Sequence, residues 1–185
     1  MLEKLFTSKN RVKILGHLFF EKPKSRIREI SRELKMPVSG VKKEIDNLLV
    51  LNIISKNKQG IKLNKNSLVE NLKNIFIKSD YLVYPLQKSL DSKKIIFALI
   101  FGSFAKGNYN FESDVDLLII GEIKISETLK IIKPIEKEIG KSINPVVWNI
   151  ENLKKEKKSG FIKDIFKKKI IMIKGDENEI RRIIK

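Results

Sequence analysis

The stretch IIFALIFGSFAKGNYNFESDVDLLII, residues 95–120, holds the side chains of this protein best suited to chemistry. An apolar run ends at Gly102-Ser103, ten mostly polar residues follow, and a second apolar run opens around Asp114-Val115-Asp116. Side chains alternate along a strand, so Asp114 and Asp116 share one face while Val115 and Leu117 take the other. Paired carboxylates in an apolar setting need a neutralising partner. A hard cation such as Mg²⁺ is one, since it accepts one or two carboxylates together with phosphate oxygens. Gly102 lets backbone approach a phosphate closely, and Ser103 adds a hydroxyl and a backbone N–H. Lys106, in the loop, could add positive charge to those phosphates or stand solvated. The chemistry implied is a metal-assisted hold on a triphosphate. A plainer alternative stays open, in which the pair are strand-end carboxylates bonded to turns and Gly102-Ser103 is an ordinary tight turn.

The elements around these residues follow from their patterns. Residues 93–101 and 113–120 are apolar runs of strand length. SETLKIIKPIEKEIG has a helical pattern, and a strand follows at 143–149. Beyond it come a Lys-rich helix, a break at Ser159-Gly160, a short helix through Phe166, a strand at 170–173 and a closing helix after Gly175-Asp176. The Lys cluster at 154–169 reads as a solvated face that could also attract an anionic acceptor such as RNA.

GSFAKGNYNFESDVDLLI resembles the signature of the polymerase beta-like nucleotidyltransferase superfamily, in the form seen in its minimal nucleotidyltransferases. The shared pattern is a strand, Gly-Ser, about ten residues, then Asp-x-Asp on the next strand. The resemblance implies that Gly102, Ser103 and Lys106 hold a nucleoside triphosphate such as ATP, while Asp114 and Asp116 bind Mg²⁺ and serve catalysis. The implied reaction is attack by an acceptor on the α-phosphate with release of pyrophosphate, two metal ions activating the acceptor and steadying the leaving oxygens. The acceptor would be a protein, an RNA or a small molecule. Isolated minimal nucleotidyltransferases often act as antitoxins that modify a partner toxin, which puts a toxin among the implied partners.

That family usually draws a third carboxylate from near the start of a later strand, as metal ligand and base. Asn144 and Pro145 stand there in this chain. Asn offers a carbonyl oxygen to a metal but cannot take a proton from an acceptor. Glu151 lies beyond the strand, and Glu112 and Glu138 are other carboxylates that could fold into place. Nucleotide binding is therefore expected ahead of turnover.

The N-terminal third has a different texture. Residues 8–20 place Val12, Ile14, Leu15, Leu18 and Phe19 at helical spacing, with Ser8 positioned to cap. Pro23 breaks that helix. SRIREISRELK follows, with Ser25 as a cap and Ile27, Ile30 and Leu34 on one face. VSGVKKEIDNLLVLN then places Val41, Ile45, Leu48 and Leu49 inward, and IISKNKQGIKLNKN reads as strand, turn at Gln59-Gly60, strand. Three helices and a hairpin in this order resemble a winged helix-turn-helix domain. The resemblance implies DNA binding, the third helix in the major groove and the hairpin on the backbone. The implied contacts are Ser39, Gly40, Lys42 and Lys43 on the helix and Lys56, Lys58 and Lys62 on the wing, with Asn47 as a base reader. The lysines would neutralise phosphates without reading sequence. A module that only packs against a protein partner or against the second domain fits the same residues. His17, the single histidine, with no carboxylate or second histidine beside it in this reading, is a packing or surface residue.

Composition sets the outer limits. The 185 residues carry a net charge of +17, and residues 1–65 hold 16 basic and 6 acidic side chains, the denser share. That balance favours nucleic acid, although the excess is mostly lysine in a chain also rich in Ile and Asn. The absence of cysteine excludes disulfides and thiolate chemistry. No apolar run reaches membrane-spanning length, and MLEKLFTSKN lacks the order of a secretion signal, so a cytoplasmic protein with no membrane partner is expected. The fold expected is α+β. A winged helix at 1–65 is followed by a helical connector at 66–92, in which Ser79-Asp80 ends one helix and caps another, and by a small mixed-sheet α/β nucleotidyltransferase-like domain at 93–185. Two functions follow: a nucleotidyltransferase coupled to DNA binding, or a transcriptional regulator with a weak or inactive nucleotide-sensing domain. Winged helices often pair on two-fold sites, which points to a homodimer.

Overall fold

Ser8 starts the first long helix as its pattern predicts. Its hydroxyl oxygen accepts the Arg11 N–H, and after a short α1 (Leu2–Leu5) the chain runs through α2 (Lys9–Gly16). The structure, a computed structural model, describes residues 2–109 and 113–185. Two compact units divide it, Met1–Tyr81 and Leu82–Lys185, so the cut falls inside the stretch 66–92.

In the first unit, α2 continues through a π-helical turn, His17–Glu21, before β1 (Lys24–Ser25). The helices α3 (Ile27–Glu33) and α4 (Val38–Val50) follow. A hairpin of β2 (Ile54–Asn57) and β3 (Gly60–Leu63) comes next, then α5 (Ser67–Phe76). Strand β3 lies between β1 and β2, antiparallel to both. The core takes Ile14, Leu15 and Leu18 from the first helix, Ile30 from α3 and Val41, Ile45 and Leu48 from α4, all fully buried. Ile27, Leu34 and Leu49 are only half-buried. Aromatic rings close the far side: Phe19 meets Phe76 edge-on at 5.2 Å and Phe20 stacks on Tyr81 at 3.6 Å.

Three local expectations change. Arg26, not Ser25, occupies the N-cap of α3, where its N–H donates to Glu29 Oε2 at 2.7 Å. Ser25 is instead buried in β1, its Oγ 3.2 Å from His17 Nε2. His17 is also buried, and carboxylates do flank it: Nδ1 donates to Glu21 Oε2 at 2.7 Å, and Glu33 lies 3.5 Å from Nε2. Glu21 is four residues on from His17, within helical reach, and Glu33 comes from α3. The chain does kink at Ser79, but Asp80 caps no helix; its Oδ2 accepts the Leu2 N–H at 2.7 Å.

The second unit opens with α6 (Val83–Ser89) and β4 (Ile95–Phe101). The chain passes directly from β4 into α7 (Gly102–Lys106), then to β5 (Val115–Gly121) and α8 (Ile125–Ile139). It continues through β6 (Ile143–Trp148), α9 (Ile150–Lys155), α10 (Gly160–Lys167), β7 (Ile171–Lys174) and α11 (Glu177–Ile184). The sheet order is β6-β5-β4-β7, with β5 and β6 parallel and the other pairs antiparallel. One face buries Phe97, Leu99, Leu118 and Ile120 against Leu153 of α9, Ile162, Ile165 and Phe166 of α10 and Ile180 of α11. Alternation sends Ala98, Ile100, Leu117 and Ile119, all fully buried, to the other face. No helix among the described residues is long and apolar enough to cross a membrane.

Glu44 ties the first unit together. Its Oε1 accepts the Ser8 hydroxyl at 2.7 Å and its Oε2 the Arg11 Nε–H at 2.9 Å. Burial opposes its charge, but hydrogen bonds from Ser8, Arg11 and Asn47 outweigh burial and hold the carboxyl below its ordinary range. A depressed carboxyl stabilises the fold above its unfolded pKa, and that contribution disappears as pH falls through the folded value. Glu44→Gln is therefore expected to destabilise the full chain by about 1–3 kcal/mol at pH 7. Urea melts of both proteins should converge as pH drops below the ordinary carboxylate range.

Candidate functional site

Strand pairing aligns three residues in one row across the sheet. Phe101 at the end of β4 pairs with Asp116 on β5, and Asp116 pairs with Asn144 on β6. Asp116 has the parity of Leu118 and Ile120, so it sits at the end of the face that α9, α10 and α11 cover. Asp114 stands just before β5 and is exposed, whereas Asp116 is half-buried. Asn144, also exposed, donates from Nδ2 to Asp114 Oδ2 at 3.3 Å. Burial raises the Asp116 carboxyl above its ordinary range, and the Asp114 charge adds to the rise.

Gly102 seals one side of this row. It turns the chain out of β4 at φ +72°, and a Cβ there would fall 2.1 Å from Asp116 Oδ2. Only glycine meets both conditions. Ser103 is half-buried on α7. Lys106, read in sequence as a loop residue, closes that helix and is exposed.

Two carboxylates and an amide suit a divalent cation that completes its shell with phosphate oxygens. Among the described residues no cluster of three or more His, Cys, Asp or Glu side chains could hold a metal without such help. Glu151 is exposed in the first turn of α9, which Asn149 caps. Glu136 reaches the start of β6, but its Oε1 accepts the Ile143 N–H at 2.7 Å. Glu112 and the side chain of Glu138 lie outside the described residues.

Beside Gly102 a cavity of about 140 Å³ is lined by Phe101, Lys106, Phe161, Asp164 and Lys168. Phe161 contacts Phe101 edge-on at 5.8 Å and Trp148 at 5.6 Å. Lys168 is ion-paired with Asp164. The hydrogen bond from Lys168, with the charges of Lys168 and Lys106, holds the Asp164 carboxyl below its ordinary range. Phe161 and Asp164 did not stand out in the sequence, and Lys168 stood out only as part of the Lys cluster at 154–169. Their signal was an apolar residue off the buried Ile162–Ile165–Phe166 stripe, just after the Ser159 cap.

On the first unit, Ser39, Lys42 and Lys43 are exposed on α4, and Lys56, Lys58 and Lys62 are exposed on the hairpin. Gly40 is half-buried. Asn47 is also half-buried, with Nδ2 turned to Glu44 Oε2 at 3.4 Å. A cavity of about 240 Å³ between α3 and the hairpin is lined by Arg26, Arg28, Lys56 and Lys58 over Ile27 and Ile61.

Comparison with known proteins adds the following. Residues 85–178 match the family described as polymerase beta, nucleotidyltransferase. A Methanocaldococcus jannaschii protein named as a protein adenylyltransferase is 36% identical over 64 residues, 35% of this chain and 61% of that protein's length. A toxin–antitoxin crystal structure with AMP-PNP is similar at a TM-score of 0.43 and 11% identity, covering 56% of this chain and 81% of that one. A Shewanella oneidensis structure of a tri-AMPylated HEPN toxin with an MNT antitoxin is similar at a TM-score of 0.37 and 9% identity, covering 62% and 80%.

Gly102→Ala is expected to push Asp116 aside and cost about 1–3 kcal/mol of stability. In thermal melts the variant should be destabilised and should lose any shift that Mg²⁺ with ATP gives the parent chain. Metal affinity, followed by calorimetry with Mn²⁺, should weaken as pH falls through and just above the ordinary carboxylate range, where Asp116 retains its proton.

Proposed function

The chain belongs to the polymerase beta, nucleotidyltransferase family, and on that premise we propose that its second unit binds a nucleoside triphosphate with Mg²⁺ and passes the nucleotidyl group slowly to a protein acceptor. The observation that carries this reading is the row Phe101–Asp116–Asn144 with Gly102 packed on the Asp116 carboxylate. Nucleotidyltransferases of this family generally use a nucleoside triphosphate and a divalent metal. A protein acceptor is supported by the name of the M. jannaschii relative.

Asp114 and Asp116 would hold the cation, which would supply neutralising charge to the phosphates. The Gly102–Ser103 backbone and the Ser103 hydroxyl hold the triphosphate, and Lys106 adds charge beside it. The acceptor oxygen forms a bond to the α-phosphorus as the bond to the β-phosphate oxygen breaks, and pyrophosphate leaves with that electron pair. The acceptor's proton must go to a base. Asn144 has no capacity to take it, so the proton passes to water and binding outruns turnover.

The same residue favours a second reading. A nucleotide-binding unit without a base suits a regulator, with the first unit as a winged-helix module that binds DNA through Ser39, Lys42, Lys43, Lys56 and Lys58 as a homodimer. A toxin would be a fitting partner in either case.

Incubation with labelled ATP, Mg²⁺ and cell extract separates the two. Transfer to a protein that disappears in Asp114→Ala supports the transferase, and saturable ATP binding without label transfer supports the regulator. Asn144→Asp is expected to raise transfer at least ten-fold, toward the usual contribution of a general base, about 10²–10⁴. For DNA, Lys42→Ala with Lys43→Ala should weaken duplex binding in fluorescence anisotropy for all sequences alike, lowering the salt slope by about 2.

A further inference from the structure

Phe161 is a large apolar side chain that the core leaves 40% exposed. Its neighbours Ile162, Ile165 and Phe166 on α10 are buried against the sheet and seal that face without it. Phe161 is nevertheless held in place, edge-on to Phe101 at an interplanar angle of 88° and tilted against Trp148 at 59°. The cavity that it lines runs back to Gly102, whose Cα touches the Asp116 carboxylate. Lys106 and Lys168 also line that cavity, and Asp164 pairs with Lys168. At about 140 Å³ it is smaller than the ~300 Å³ at which whole-ligand pockets begin. It suits one flat ring of a larger molecule whose charged part lies at its Gly102 end.

We infer that Phe161 is the stacking platform for the heterocyclic base of the nucleotide, in the cavity that Lys106 and Lys168 also line. The inference rests on nucleotide binding at Gly102–Ser103 and Asp114–Asp116, and adds where the base goes. Every base has a π-face, and stacking on one aromatic ring is tolerant of base identity. The site therefore takes ATP and GTP with similar affinity, since the strength comes from the ring and not from a hydrogen-bond code.

Calorimetry on the full chain tests it, with Mg-ATP and Mg-tripolyphosphate as separate ligands. Wild type should bind both, and Asp116→Asn should weaken both. Phe161→Ala should weaken ATP about ten-fold, at the lower end of what base–aromatic stacking contributes, and leave tripolyphosphate unchanged. Phe161→Leu keeps apolar bulk without a π-face and should lose as much, whereas Phe161→Tyr should restore ATP affinity. Trp148, the single tryptophan, should change emission with ATP and not with tripolyphosphate. If Phe161→Ala and Phe161→Leu weaken both ligands alike, or neither, the platform is overturned while nucleotide binding stands. If wild type binds neither ligand, both readings fall together.

Discussion

The contact between the Asp116 carboxylate and the bare Cα of Gly102 is the constraint on which the second unit's site depends. It demands a positive φ where β4 ends, so the chain turns straight into α7 and carries Ser103 and Lys106 with it. It keeps Asp116 half-buried at the end of a strand whose other residues are sealed in the core. Burial alone would favour the neutral acid, and the nearby Asp114 charge strengthens that preference. The four-stranded sheet pairs β5 with neighbours on both sides, which holds Asp116 in register against Phe101 and Asn144.

The first unit solves a comparable problem in the opposite sense. Glu44 is buried and charged, but its partners Ser8 and Arg11 come from the same helix start and meet it with good geometry. Burial and pairing compete at both carboxylates. Pairing prevails at Glu44 and burial at Asp116, because only Glu44 has a cation of the chain beside it. A carboxylate left uncompensated by its own chain reads as a place for something else to bind.

Much of this was legible from residue order. Strand alternation put Asp114 and Asp116 on a common side, and the Gly-Ser turn before them identified the family's pattern, because both depend on local spacing. The start of β6 was found the same way, which is how Asn144 stood out. Other features depend on long-range packing and left a weaker trace. Phe161 and Lys168 lie more than fifty residues from Gly102 and reach it only because α10 lies across the sheet. Ser25 has the chemistry of a cap but lies buried in β1 beside His17, and one of the His17 carboxylates, Glu33, comes from α3, sixteen residues on. Lys106 belongs to a helix too short to show any periodicity.

The amide of Asn144 has a further consequence. A carboxylate at that position would add a third negative charge beside Asp114 and Asp116, and the apoprotein would carry the mutual repulsion whenever no cation was present. The amide instead donates a hydrogen bond to Asp114, which replaces a repulsion with an attraction. The Asn144 amide thus ties the start of β6 to the residue just before β5, and holds Asp114 in place without adding charge.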